Sequence, residues 1–298
     1  MGFEACHPAV NFIFFAAVLY GSATFRHPVF LTIAYICAFA YSVKRRGMRA
    51  VIFNLCLLPL VVAFALYYSS YHHFGVTVLR KNFVDNNMTL ESLVYGLVIG
   101  MRFATVCMWL EAMFQVVSSD KVVYLFGKIS PLLSLFLTIL LRLIPRIGQE
   151  VRRINLAQKG IGRGSNQGNV FQRFGHSLPI FSMLITWIIS ALALESDSMR
   201  SRGSLLWGRT AFSIYRFDNR DRAFVIGLFA CITLTVMGVI LGASKMWYNP
   251  RIIWRPLNGI GVVTAIGYLA LCMMPMGLEL WTEYRFAQER RKTNDTEG

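Results

Sequence analysis

Two stretches in the polar middle of this chain close on arginine and glycine: "LAQKGIGRG" over 156–164 and "SMRSRG" over 198–203. The chemistry open to such endings is recognition rather than bond making. A guanidinium is always charged and presents five donors in a planar fork suited to carboxylates and backbone carbonyls. Catalytic constellations do not accompany them. "GIGRGSNQG" contains no Gly-Lys-Ser/Thr and follows no hydrophobic strand, so it is not a phosphate cradle. Any ATP used must be hydrolysed by another chain, and no catalytic, cofactor or metal residue is assigned here. Paired carboxylates, HExxH and Ser-His-Asp sets are missing. His72 and His73 sit together at the end of an apolar run, where an interfacial place suits them better than ligation. No apolar run holds the acid cluster that a metal-dependent lipid-modifying enzyme would need. The six cysteines are scattered singly and read as small buried hydrophobes.

Two ionisable residues, Arg102 and Glu111, fall inside an apolar run. Charges at membrane depth are costly and need partners. Nine helical steps of 100° put the two on opposite faces of one helix, so each must find its partner elsewhere. Structural pairing accounts for them better than a proton or ion relay, which would need further buried charges.

The elements that position these residues follow from composition. Hydrophobic residues make up 55% of the 298 and charged residues only 15%, against about 25% in soluble domains. A lipid-wrapped surface needs little charge, so the fold class is an all-α polytopic membrane protein. Apolar runs at 9–25, 28–43, 50–70, 93–117, 223–243 and 257–281 predict about six transmembrane helices. The first two are short enough to form a single tilted hairpin. "KRRGMR" (44–49) places one loop inside by the positive-inside bias, and the mixed loop 71–91 faces out. Both termini are then cytoplasmic, in a multi-pass protein of the cell membrane. Lys245, Arg251 and Arg255 run against the rule. "MGFEACHPAVNF" lacks the features of a cleaved signal peptide, and Cys6 stands where a myristoylation motif has Ser or Thr.

The net charge of +15 is concentrated in the middle, with fourteen Lys or Arg against six acids between Ser119 and Asp221. The positive-inside bias explains this block without nucleic acid. Ser130 and Pro131 make a helix start. The helix that follows is apolar for only about eleven residues before Arg142, too short to cross. Arg142, Arg146 and Arg153 fall within about 40° of one another on one side, and Pro145 predicts a kink. This is a long amphipathic helix lying on or under the membrane. After "GRGSNQGN" (162–169), a second helix is predicted from near Pro179 to a C-cap at Gly203. The resulting divisions are 1–117 for N-terminal spans, 118–222 for the cytoplasmic middle, 223–281 for C-terminal spans and 282–298 for a cytoplasmic tail.

The stretch from Asn86 to Gly160 resembles the transmembrane T component of energy-coupling factor (ECF) transporters, the EcfT/CbiQ family. The similarity rests on the threonine-glutamate opening in "NNMTLES", a span with a central arginine, the turn near "SSDK", the "LRLIP" helix and the "LAQKG" ending. "SMRSRG" is similar to the family's second Ala-Met-Glu-Ala-Arg-Gly ending, so the likeness covers 86–203. The resemblance implies two long amphipathic cytoplasmic coupling helices, each ending in a motif that docks one of two ABC-type ATPase subunits. It assigns docking to Gln158, Arg163, Gly164, Ser201, Arg202 and Gly203. It also implies a separate substrate-binding S component that captures a vitamin or a transition-metal ion such as cobalt or nickel, with ATP and Mg bound by the partners. Substrate choice would belong to that S component.

One departure stands out. Aligned without a gap, Gly160-Ile161-Gly162 falls where the family has Ala-Arg-Gly. Either Arg163 takes the role after a short insertion, or the first site works differently. A stand-alone secondary transporter or channel is the alternative, but no inverted repeat or broken polar span is evident.

Overall fold

The computed structural model describes all residues except Met1, His73, 82–86, 128–130, 204–214, Arg216, Arg255 and Gly298. Asp85, Asn86, Lys128, Ser130 and Arg209 therefore lie outside the described residues, as do His73, Arg216 and Arg255. The described helices are α1 (Pro8–Thr24), α2 (Pro28–Arg46), α3 (Met48–Tyr71), α4 (Leu90–Val116), α5 (Ser119–Gly127), α6 (Pro131–Gly160), α7 (Val170–Ser201), α8 (Asn219–Ile240) and α9 (Gly259–Glu297). A 3-10 turn, Phe3–Ala5, precedes α1. Two short strands, β1 (Val78–Lys81) and β2 (Asn87–Thr89), pair antiparallel between α3 and α4. The sequence reading had only a loop there.

The chain forms two compact units, Met1–Ser118 with Tyr215–Gly298, and Ser119–Ile214. Among the described residues five helices are long and apolar enough to cross a membrane: α3, α4, α7, α8 and α9. The molecule is thus a multi-pass, membrane-type helical protein that contacts lipid. The five do not coincide with the six predicted spans. The predicted runs near α1 and α2 are separate helices, but α1 has only 17 residues. Three cations close α2. By contrast, α7 qualifies on length and composition.

In the first unit, α4 packs against α1, α2 and α3, and α9 packs against α2 and α8. Gly96 and Gly100 bring α4 close to α3. A Cβ on Gly96 would lie 3.0 Å from the Ala65 Cα, and one on Gly100 3.0 Å from Val61 Cγ1. Small residues four apart permit such backbone approach, and dispersion then holds the helices where lipid offers no hydrophobic drive. The centre is aromatic. Phe3 meets Phe14, Phe15 and Phe224 edge-on or tilted, and Trp109 sits between Phe14 and Tyr41.

Polar contacts define the two ends of this unit. At one end the His7 amide donates to Asp221 at the start of α8 (3.4 Å). Arg45, in the last turn of α2, holds Glu4 at 2.9 Å and Glu279 of α9 at 3.5 Å. Lys44 holds Glu283 at 3.2 Å, and Arg46 pairs with Glu111 of α4. The opposite end carries the turn between α1 and α2, β1–β2, and the segment before α9. There the Tyr248 hydroxyl donates to the Arg26 carbonyl at 2.7 Å, and His72 stacks on Tyr68 at 4.0 Å. Thr89 caps α4 by accepting from the Ser92 amide, while Glu91 accepts from Thr77.

In the second unit α5 and α7 both pack on α6. Arg142 and Arg146 reach Glu195 at 3.4 and 3.1 Å, and Gln158 Nε2 approaches Met183 Sδ at 3.7 Å. As α6 advances, its partners on α7 recede, so the two helices run antiparallel. One predicted detail changes: α7 begins at Val170 instead of near Pro179, while α6 continues as helix on both sides of Pro145. The earlier start comes from a capping box, in which the Gln172 side chain accepts the Asn169 amide at 3.1 Å. Pro179 then lies inside the helix.

Candidate functional site

The two endings hold the C-terminal caps of α6 and α7, each closed on a left-handed glycine, Gly162 and Gly203. At the end of α6, Gly162 has φ +80°. Its amide donates to the Lys159 carbonyl at 3.1 Å, and the Arg163 amide donates to the Gln158 carbonyl at 2.9 Å. This is a Schellman closure, which uses a left-handed residue to satisfy carbonyls left open by the helix end. Glycine is needed because a Cβ is penalised at positive φ. At the end of α7, Gly203 has φ +73° and its amide donates to the Arg200 carbonyl at 3.0 Å.

Superposing the caps on their left-handed glycines fixes the correspondence residue by residue. Gly162 matches Gly203, Gly160 matches Ser201, and Ile161 matches Arg202. In the two caps Gly160-Ile161-Gly162 thus stands opposite Ser201-Arg202-Gly203. Arg163 comes after the left-handed glycine, where the chain has already left the helix.

The surroundings of each predicted residue differ. Arg202 is exposed, and its side chain makes no ion pair or hydrogen bond among the described residues. Of the two acids nearest in sequence, Asp197 and Glu195, the second is engaged by Arg142 and Arg146. Ser201 is exposed, and its hydroxyl donates to the Ser198 carbonyl at 2.8 Å. Gly203 is half-buried. Arg163 is exposed and likewise makes no side-chain ion pair among the described residues. Gly164 is buried, its amide donating to Gln167 Oε1 at 2.9 Å. Gln158 turns its side chain towards Met183 of α7, so it braces the helix pair instead of facing outward.

Sequence reasoning missed Asn155. Its Oδ1 accepts from both the amide and the hydroxyl of Ser165, each at 3.0 Å. It anchors the loop 161–169 back onto α6 and so fixes the first cap. An asparagine inside a helix seven residues before the Gly-rich break at 162–169 was the available signal. The other predicted cluster also resolves in part. Arg142 and Arg146 share Glu195, while Arg153 pairs with Glu150 of its own helix at 3.4 Å.

Glu111 finds its partners outside α4, in Arg46 and in the Ser42 hydroxyl at 3.4 Å. Arg102 acquires no hydrogen bond from its buried Nε. Among the described residues no group of three or more His, Cys, Asp or Glu is arranged to hold a metal ion.

Comparison with known proteins identifies no relative: no family model matches the chain, and neither does any curated protein.

Proposed function

We propose that the chain is the membrane scaffold subunit of an ECF-type importer. In this reading it couples ATP hydrolysis by two partner ABC-type ATPases to uptake of a vitamin or transition-metal ion captured by a separate S component. The observation that carries the reading is the pair of matched helix caps, each closing a long helix of one antiparallel pair and each presenting exposed side chains. Arg202, Ser201 and Gly203 form the second docking tip. Arg163, Gly164 and Gln158 belong to the first, as surface, buried support and brace respectively. An exposed guanidinium without an internal acid is suited to a carboxylate or carbonyl groove on a partner. Two antiparallel helices tied by Arg142, Arg146 and Glu195 can pass displacement of such a partner on as rigid-body motion.

The span-like composition of α7 favours the alternative, a stand-alone transporter with α7 in the bilayer. Parity opposes it. The end of α4 and the start of α8 sit at the same end of the first unit, joined to it through Glu111–Arg46 and Asp221–His7. The segment between them must cross the membrane an even number of times. A spanning α7 therefore needs a second crossing within the same segment, because α7 lodged in the bilayer alone would break the count. Cysteines placed at Asn166 and at Arg202 separate the readings. The coupling role predicts that membrane-impermeant reagent in intact cells reaches neither, whereas a spanning α7 exposes one of them. Purification in mild detergent should yield two ATP-binding chains bearing phosphate loops for each copy of this one. Their absence from an intact complex would remove the scaffold reading.

A further inference from the structure

From Gly259 to Leu278 the helix α9 is uncharged for twenty residues, the length that about 30 Å of hydrocarbon requires. Its first charges, Glu279 and Glu283, are held by Arg45 and Lys44 at one end of the first unit. Trp281, Tyr284 and Phe286 lie just past the apolar stretch and are 52%, 63% and 55% exposed. That is the depth at which a bilayer passes from acyl chains to headgroups, where aromatic rings settle. At this level α8 starts beside α9. Arg220 of α8 joins Trp281, Thr282, Arg285, Phe286 and Glu289 of α9 around a hollow of about 310 Å³.

Arg285 gives the hollow its chemistry. Its exposed guanidinium lies over the Trp281 ring, 4.4 Å from the centroid, and makes no ion pair or hydrogen bond among the described residues. Stacking occupies one face of the planar group and leaves its N–H fork free in the plane, the geometry that takes two phosphate oxygens. Arg220 brings a second cation from α8. Lys292 brings a third, since eleven steps of 100° return it to within about 20° of Trp281. Glu289 stands eight residues past Trp281, about 12 Å farther from the apolar stretch. It therefore meets the outer, hydroxyl-bearing part of a headgroup instead of the phosphate. We infer that this hollow between α8 and α9 binds the headgroup of an anionic phospholipid, with its phosphate on Arg285 and Arg220. The membrane is the source of the ligand, because Trp281 and Phe286 offer apolar walls to the acyl chains and nothing to a soluble anion. The site is separate from the two helix caps and stands whether or not they dock ATPases.

The test is native mass spectrometry of the full-length chain extracted in mild detergent and loaded with phosphatidylglycerol. Phosphatidylcholine or inorganic phosphate is then added as competitor. Phosphatidylglycerol should be retained, and neither the zwitterionic lipid nor the free anion should displace it. Arg285→Gln should lower that retention about tenfold or more, the size of one charge-assisted hydrogen bond. Arg290→Gln is the control, because nine steps of 100° place Arg290 on the far side of the helix from Trp281. Ordinary surface charge would lose equally at both positions. The site predicts a change of about twofold or less at Arg290, where ions screen the distant charge. Trp281→Leu keeps every charge and should weaken retention about two- to fivefold through the lost ring face. Equal losses in Arg285→Gln and Arg290→Gln, or none in either, would overturn the inference. So would unchanged retention in Trp281→Leu, or displacement of the lipid by inorganic phosphate, which would mark a site for free anions.

Discussion

Replacing Arg45 with methionine keeps the aliphatic stem at the end of α2 and removes the guanidinium that joins three elements. Its two contacts are unequal. Glu4 has a side chain 54% exposed, and a pair of that kind contributes about 0.2–1 kcal/mol. Glu279 has a side chain only 8% exposed, and Arg45 itself is 19% exposed. Breaking a buried pair from one side costs about 3–5 kcal/mol, because the remaining charge is stranded. Lys44 stays one residue away on Glu283, which softens the loss. We therefore expect Arg45→Met to destabilise the first unit by about 2–4 kcal/mol and Glu4→Gln by less than about 1 kcal/mol. The double variant Arg45→Met/Glu279→Leu should recover most of the difference, because no charge is then left buried. Thermal unfolding of the detergent-solubilised chain, run as a double-mutant cycle, measures the coupling directly. Equal losses in Arg45→Met and Glu4→Gln, or no recovery in the double variant, would refute the reasoning.

Gly100→Leu should lower the unfolding temperature clearly, because its Cβ would already stand 3.0 Å from Val61 Cγ1, whereas Gly277→Leu, with nothing within 4 Å, should leave it nearly unchanged. Asn155→Ala should release the Ser165 amide and hydroxyl and raise protease cleavage in the loop 161–169. Each lost hydrogen bond contributes about 0.5–1.5 kcal/mol, so α6 itself should stay folded. Purified alone, the chain should hydrolyse no ATP, since its sequence carries no phosphate loop. Sustained turnover by the contamination-free chain would show that expectation wrong.

Apolar periodicity made most helices legible, because lipid exposure demands long uncharged runs. At α2 the apolar run is followed within the same helix by three cations. Lys44, Arg45 and Arg46 read as loop charge because the positive-inside rule counts cations without their partners. Those partners, Glu4, Glu111, Glu279 and Glu283, are distant in sequence and meet the cations only when α2, α4 and α9 assemble. The same long-range pairing hid the partner of Glu111, although the need for one outside α4 was readable from the 100° step. The start of α7 was misplaced because Pro179 drew attention as a first-turn residue. The capping pair Asn169 and Gln172 is the weaker signal and the operative one. At the candidate site the sequence exposed both glycine endings and the mismatch at Ile161. It left open which arginine corresponded to which. Backbone dihedrals at Gly162 and Gly203 decide how the two caps correspond, and a single sequence does not contain them.

The claim that the α7 cap is a docking tip is tested most directly by charge reversal at Arg202. Arg152 serves as the control, being exposed on α6 and likewise without an ion pair among the described residues. Native mass spectrometry of the complex extracted in mild detergent counts the ATP-binding subunits retained on each variant. A buried charge-assisted hydrogen bond contributes about 1.5–3 kcal/mol, and placing a carboxylate in the same groove costs more, so Arg202→Glu should lose one subunit by about tenfold or more. Arg152→Glu should keep both. Equal retention in the two variants would contradict the docking role and leave Arg202 as ordinary surface charge.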